Sequence, residues 1–321
     1  MASYIVRRLL GLIPTLFVIT VIVFLLMHAM PGNAFMALVY NPKVKDPAAL
    51  IARLEAQNGL NQPLYIQYFD WLRNVFQGNL GMSQSLNEPV SQAIGQALPN
   101  TLLLAVTAEV IILLVSIPIG VLQANRANKG FDITTSFIAV LFYSIPGFVF
   151  ALILLLFFSF KWNVLPSTGT VTPGVSYSGS LGDHIIHLVL PAMALALPSL
   201  AYYTRLTRGN TLQVIVADFV RTAKAKGLRT PRILFRHVLR NAIIPLVTQF
   251  GFDIGGLFGG AIILEEIFTW PGMGELSINA TLSHDYPLIL GSTLVFAVTV
   301  LIGNLIADIL LAVSDPRIRY D

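Results

Sequence analysis

Six apolar runs, each long enough to cross a bilayer, dominate this chain. They cover residues 9–30, 101–122, 133–160, 185–203, 242–264 and 288–313. A hydrocarbon core about 30 Å thick requires about 20 apolar residues in a helix. Inside lipid the backbone must satisfy its own hydrogen bonds, which leaves helices or closed barrels. Runs of this length predict helices, so the expected fold is an all-α integral membrane protein with six transmembrane helices. Charged residues make up 11% of the chain, against about 25% in soluble domains, and mean hydropathy is +0.74. With no cysteine, disulfides and thiolate metal sites are excluded. The first run follows Arg7 and Arg8 but exceeds the h-region of a signal peptide, and no small-x-small cleavage site follows closely. It reads as a retained span.

Orientation follows from Lys and Arg, which concentrate on the cytoplasmic side. With the N-terminus inside, Arg7, Arg8, Arg126, Lys129, nine residues from Arg205 to Arg240, Arg317 and Arg319 fall inside, and only Lys43, Lys45, Arg53, Arg73 and Lys161 fall outside. Both termini are therefore expected in the cytoplasm. The net charge of +4 does not point to nucleic acid, because the basic residues flank apolar runs. Three units are expected: an N-terminal transmembrane helix over 1–30, an extracytoplasmic segment over 31–100, and a five-helix core over 101–321 that includes a cytoplasmic loop at 205–241.

The segment 31–100 predicts short amphipathic helices. Asp46-Pro47 forms a helix start and Gly59 a stop. A second helix opens after Pro63 with Leu64, Tyr68, Leu72 and Phe76 on one face, beside Tyr65, Phe69 and Trp71. Such aromatics favour the membrane–water interface. A lid packed on the bundle and a docking face for an external partner are both open readings. Pro146-Gly147 predicts a kink in the third run, and Pro191 and Pro198 predict freed carbonyls, and a broken helix, in the fourth. The fifth run repeats small residues at Gly251, Gly255 and Gly259, with Gly256 alongside. That spacing lets two helix backbones approach closely, within the chain or across a seam with a second subunit.

Glu109, Asp253 and Asp308 lie inside apolar runs. Intramembrane carboxylates are costly and mark pathways or satisfied interhelical bonds. Glu109 and Asp253 are the candidate pathway residues; Asp308 lies near the end of its run and predicts an interfacial pair. No phosphate loop, nucleophile elbow or H-E-x-x-H is present, and His184 and His187 have no matching ligand set. The chain predicts no catalytic residue and no metal site.

The basic segment 217–245 carries Arg221, Lys224, Lys226, Arg229, Arg232, Arg236 and Arg240. Asp218 predicts a cap for a helix ending near Gly227, and a second helix follows Pro231. Such a peg presents a surface to a cytoplasmic partner, or serves only to fix orientation. The pattern Arg221-Thr222-Ala223-x-x-x-Gly227, followed by Arg236-His237-x-Leu239-Arg240-Asn241-Ala242, resembles the cytoplasmic EAA loop of ABC importer permeases, in the form found in oligopeptide, dipeptide and nickel permeases. Tyr4-Ile5-Val6-Arg7-Arg8-Leu9-Leu10, Asn61-Gln62-Pro63-Leu64-Tyr65, Leu98-Pro99-Asn100-Thr101-Leu102, Phe268-Thr269-Trp270-Pro271-Gly272-Met273-Gly274 and Asp315-Pro316-Arg317-Ile318-Arg319 extend the resemblance along the chain.

The resemblance implies a type I importer permease fold in a bacterial or archaeal inner membrane. It implies as partners a homologous second permease, two cytoplasmic ATPases and an extracytoplasmic substrate-binding protein. ATP and Mg would sit on the ATPases, with no cofactor on this chain. Asp218, Arg221, Thr222, Ala223, Lys224, Lys226, Gly227, Arg236 and Arg240 would form the coupling surface. Arg221 and Thr222 replace Glu and Ala of the broad importer pattern, and Arg240 replaces Pro, which implies an acidic ATPase groove. The expected function is half of a pathway for di- or oligopeptide uptake; nickel chelates or glutathione are the alternative cargo. A self-sufficient proton-coupled transporter and a membrane scaffold are the rivals from other classes.

Overall fold

The computed structural model describes residues 2–29, 46–57, 59–175 and 178–314, with the side chains at 2–9, 47, 57, 248, 251–260, 307 and 310–314 outside that description. Helices account for nearly all regular structure among these residues: α1 (Ala2–Ala29), α2 (Pro47–Gln57), α3 (Leu64–Phe76), α4 (Val90–Asn125), α5 (Gly130–Ser144) and α6 (Gly147–Leu154, continuing as a π-helix over Leu155–Lys161). Then come α7 (Leu181–Val214), α8 (Asp218–Ala225) and α9, which is α-helical over Thr230–Arg232, π-helical over Ile233–Val238 and α-helical again over Leu239–Ala242. The chain continues with α10 (Ile244–Phe268), α11 (Met273–Leu282) and α12 (Tyr286–Ser314). A single isolated bridge, Met82 to Pro89, is the only strand-like pairing among the described residues.

Four helices are long and apolar enough to cross a membrane, and five if the bent pair α5–α6 counts as one span. α4 has 36 residues and α7 has 34, so each measures about 50 Å at about 1.5 Å per residue. Both exceed the bilayer core of about 30 Å and extend beyond it.

Two expectations about proline are corrected. The third run is not one kinked helix: α5 and α6 meet at 100°. Ile145 precedes Pro146 and is extended (φ −96°, ψ 125°), as proline requires of its predecessor. Pro146 is extended in its turn (φ −58°, ψ 142°), and two successive residues out of helical geometry turn a kink into a corner. α7, by contrast, runs unbroken through Pro191 and Pro198. Packing along its length holds the helix together where a lone proline would only loosen it.

The main core gathers Leu104, Ala108 and Ile112 of α4, Ala151 of α6, Leu190, Ala192, Ala194 and Ala196 of α7, and Leu264 and Phe268 of α10. Its small side chains let α4 and α7 lie close together. Lipid supplies no hydrophobic drive between helices, so close packing must do this work. The two helices approach closely at Gly120, where an added Cβ would lie 2.7 Å from the Thr204 carbonyl oxygen and 2.6 Å from Thr207 Cβ. α2 begins as its sequence predicts, with the Ala49 N–H donating to Asp46 Oδ1 (3.1 Å), and a left-handed Gly59 (φ 68°) follows its end.

Candidate coupling surface and the buried polar clusters

α8 is a short helix with two faces. Val220 and Ala223 are buried with Ile233 and Val238 of α9, and Val214, Ile215 and Leu228 pack around them. The opposite face exposes Arg221, Thr222, Lys224 and Lys226, joined by Arg236 and Arg240 of α9. Phe219 (44% exposed) and Phe235 (45%) also stand in the open. Ala223, read from sequence as part of the coupling surface, instead faces inward and seats α8 on α9. The expected Asp218 cap is also corrected. Ala217 is the N-cap, no side chain caps the helix, and Asp218 is its first residue. Its carboxylate lies 3.5 Å from Arg221, and both side chains are largely exposed, so the pair contributes little.

The end of α8 has a defined geometry. Gly227 is left-handed (φ 74°), its N–H donates to the Lys224 carbonyl (2.9 Å), and the Leu228 N–H donates to the Ala223 carbonyl (3.3 Å). These two bonds form a Schellman closure, completed by Leu228 packing back on the helix. An added Cβ at Gly227 would touch nothing within 4 Å. The need for glycine here is conformational.

Elsewhere, buried carboxylates tie distant segments together. Asp132 of α5 is 3% exposed and receives a two-pronged pair from Arg208 of α7, Nε to Oδ1 and Nη2 to Oδ2, both 2.7 Å. The Asn128 N–H donates to the same group (2.8 Å). Asp285 accepts from the Ser83 hydroxyl (2.6 Å) and from the Ser85 hydroxyl and N–H (2.7 and 2.9 Å). It also caps α12 through the Leu288 N–H (3.2 Å). Asp183 accepts from the Thr172 N–H and hydroxyl and from the Gly179 N–H, while His187 reaches Thr172 Oγ1 (3.1 Å) and the Gly169 carbonyl (3.0 Å). His187 is therefore a buried structural residue. The signal was its i,i+4 spacing from Asp183, which sequence reading passed over.

Two of the sequence motifs interlock. Glu265, at the end of α10, is fully buried; it accepts from the Thr101 hydroxyl (2.7 Å) and the Gly274 N–H (2.6 Å). Thr101 in turn accepts from the Met273 N–H (2.7 Å). The Trp270 indole N–H donates to the Asn100 carbonyl (3.1 Å), and the Asn100 amide donates to the Pro271 carbonyl (2.7 Å). The Glu265 carboxylate thus meets the N-terminus of α11, where anions are favoured. The chain turns back at Thr269, which is left-handed (φ 47°), a costly conformation for a β-branched residue. Beside this turn, Glu88, Gln96, Asn100, Glu275 and Asn279 line a cavity of about 280 Å³. Burial, and then nearby Glu266, push the Glu275 carboxyl above the usual range.

Of the candidate pathway residues, Glu109 is 6% exposed in α4. Asp253, Gly251, Gly255, Gly256 and Gly259 lie on the helical backbone of α10, and the surroundings of these five positions fall outside the description. Asp308 is half-buried on α12. No group of three or more metal-ligating side chains occurs among the described residues.

Comparison with known proteins adds the rest. The family model described as "Binding-protein-dependent transport system inner membrane component" matches residues 116–320, and its N-terminal membrane-component counterpart matches residues 1–105. The chain is 43% identical to the oligopeptide transport system permease AppB of Bacillus subtilis over 321 residues, covering 100% of both. It is 36% identical to the glutathione transport system permease GsiC of Escherichia coli K12 over 320 residues, again covering 100% of each. Its fold matches a chain of the inward-facing MetNI methionine ABC transporter with TM-score 0.56 and 16% identity, over 73% of this chain and 100% of that one. The chain belongs to the binding-protein-dependent transport system inner membrane components, as an ABC importer permease of the peptide and nickel group.

Proposed function

We propose that this chain is one of two permease subunits of an ATP-driven importer for di- or oligopeptides, with six spans and both termini in the cytoplasm. A homologous permease supplies the other half of the pathway, two ATPases dock on the α8–α9 surface, and an external binding protein delivers the cargo. The observation that carries this reading is the full-length identity of 43% to an oligopeptide permease, together with a rigid, basic helical peg. ATP-driven closure of the ATPases would pull on α8, whose apolar face is locked to α9, so the peg would move as a unit. The glutathione permease relative supports glutathione, itself a small peptide, as the second reading. Reconstituting the chain with its ATPases, partner permease and binding protein tests both. ATP-dependent accumulation of a labelled oligopeptide supports the first, accumulation of glutathione alone supports the second, and accumulation of neither rejects both.

The peg makes a specific demand on Gly227. Left-handed geometry disfavours β-branched residues by about 1–2 kcal/mol, so Gly227→Val should open the Schellman closure and cut peptide uptake several-fold while the complex stays assembled. Unchanged uptake per ATP hydrolysed would remove Gly227 from the coupling role. The basic face makes a second demand. With Arg221 and Lys224 turned to Glu, less ATPase should co-purify, and added salt should weaken the native contact only modestly, as for exposed ion pairs. Full retention of ATPase by the double variant would show that the contact is not electrostatic.

Glu109 and Asp253 are proposed to line the pathway shared with the second permease. Asp253→Asn keeps volume and hydrogen bonding but loses charge. It should slow uptake without reducing assembly, and Asp253→Leu should slow it further. A Leu variant that transports at the wild-type rate would make Asp253 a tolerated polar residue.

A further inference from the structure

The helix α3 lies against α1 in space, and its depth is fixed by side-chain contacts. The Tyr68 hydroxyl is 2.9 Å from Thr20 Oγ1, and its ring meets Phe17 (6.1 Å) and Phe24 (5.4 Å). Next to it, the Gln67 amide is 3.0 Å from His28 Nε2. The apolar span of α1 covers Leu10–Ala29, so Thr20 sits at its middle, about 14 Å from Ala29 at about 1.5 Å per residue. A tyrosine side chain is shorter than that distance. The backbone of α3 therefore lies below the level at which the α1 span ends, and Tyr68 points toward the bilayer centre.

The rest of α3 is ordered around that direction. At 100° per residue, Tyr65, Phe76 and Phe69 form one flank, and half-buried Leu72 lies between it and the buried Tyr68, packed on the same core. That flank is open, with Tyr65 65% exposed, Phe69 60% and Phe76 84%. α1 exposes an apolar band of its own, where Ile22 is 50% exposed, Leu25 51% and Leu26 63%. In a membrane permease that band faces acyl chains. The opposite flank of α3 carries Gln67, Asp70 and Asn74, which border a cavity of about 230 Å³. Apolar and polar flanks divided along the helix axis are the signature of a helix lying in the plane of the interface.

We infer that α3 is a half-inserted, in-plane helix whose Tyr65–Phe69–Phe76 flank is seated in lipid, at the boundary of headgroups and acyl chains in the leaflet around the C-terminal half of α1. It is neither a lid in water nor a docking face for a soluble protein. The inference rests on the chain being a membrane permease and not on its cargo. It places the polar flank, with its cavity, at the aqueous edge of the bundle.

The absence of cysteine makes the test direct. Single variants F69C, F76C, D70C and L25C of the full chain, reconstituted in nanodiscs of phosphatidylethanolamine and phosphatidylglycerol, each take one nitroxide label. Collision with oxygen, which concentrates in lipid, is compared with collision with a water-soluble nickel chelate. F69C and F76C should favour oxygen, as L25C on α1 does, and D70C should favour the chelate. If F69C and F76C favour the chelate while L25C favours oxygen, the inference is overturned and the membrane reading stands. If L25C also favours the chelate, both fall. Substituting two separate exposed positions guards against a local folding defect at either one.

Discussion

Arg208→Ala should lower the stability of the purified permease by about 2–3 kcal/mol. Removing one partner from a buried ion pair costs about 3–5 kcal/mol because a charge is left without compensation. The Arg208 side chain is 27% exposed and that of Asp132 only 4%, so water offsets part of the loss, and the lower figure follows. The damage has a location. Asp132 and Arg208 join the start of α5 to the last two turns of α7, the end that leads into α8, so the variant should also loosen the link between α8 and the bundle. Asp132→Asn should do less harm. Its amide oxygen can still accept from the Asn128 N–H, and Arg208 can turn to water. Thermal unfolding in detergent, read by monodispersity on heating, separates the two. Equal stability of Arg208→Ala and the native chain would show that the pair is replaceable by solvent.

Gly274→Ala should be at least as damaging, from a single methyl group. Its Cβ would lie 2.5 Å from Ile262 Cα and 2.8 Å from Glu265 Oε2. The first contact is with the backbone of α10, which cannot rotate out of the way. Overpacking costs about 1–3 kcal/mol. Pushing the Gly274 N–H off a buried carboxylate adds about 1–3 kcal/mol. A total of about 3 kcal/mol is expected, with loss of the turn between α10 and α11. Gly95→Ala is the control, since an added Cβ there meets nothing within 4 Å. On an exposed helical position it should be neutral or slightly stabilising. Similar unfolding temperatures for both alanine variants would mean that the α10–α11 turn yields more readily than its contacts indicate.

The amino-acid sequence by itself determined the helical class, the places where apolar helices run, the starts at Asp46-Pro47 and Pro63, and the stop at Gly227. Each of these is decided within one or two helical turns, by length, period, and the φ preferences of Pro and Gly. It also determined the basic character of the candidate coupling surface, because charge is a property of composition. It did not determine which way side chains in that surface face. Ala223 turned inward because α9 lies beneath it, and that depends on a turn at Gly227 meeting a separate helix.

Only the tertiary structure decided how distant motifs meet. The segments around Asn100-Thr101 and Trp270-Pro271 are visible in sequence as two unrelated patterns. Their hydrogen bonds span 170 and 171 residues and arise because Gly272 and Gly274 leave room for the Glu265 carboxylate. The same holds for Arg208 with Asp132 and for Asp285 with Ser83. A lone acid in or beside an apolar run announces that it needs a partner, but not which one. The 100° corner between α5 and α6 shows the same division of labour. Ile145 and Pro146 both leave the helix, and the packing of both arms on the bundle sets the angle. Local sterics are written residue by residue, whereas the partner of a buried polar group depends on which backbones can approach, and that is settled only when the helices pack.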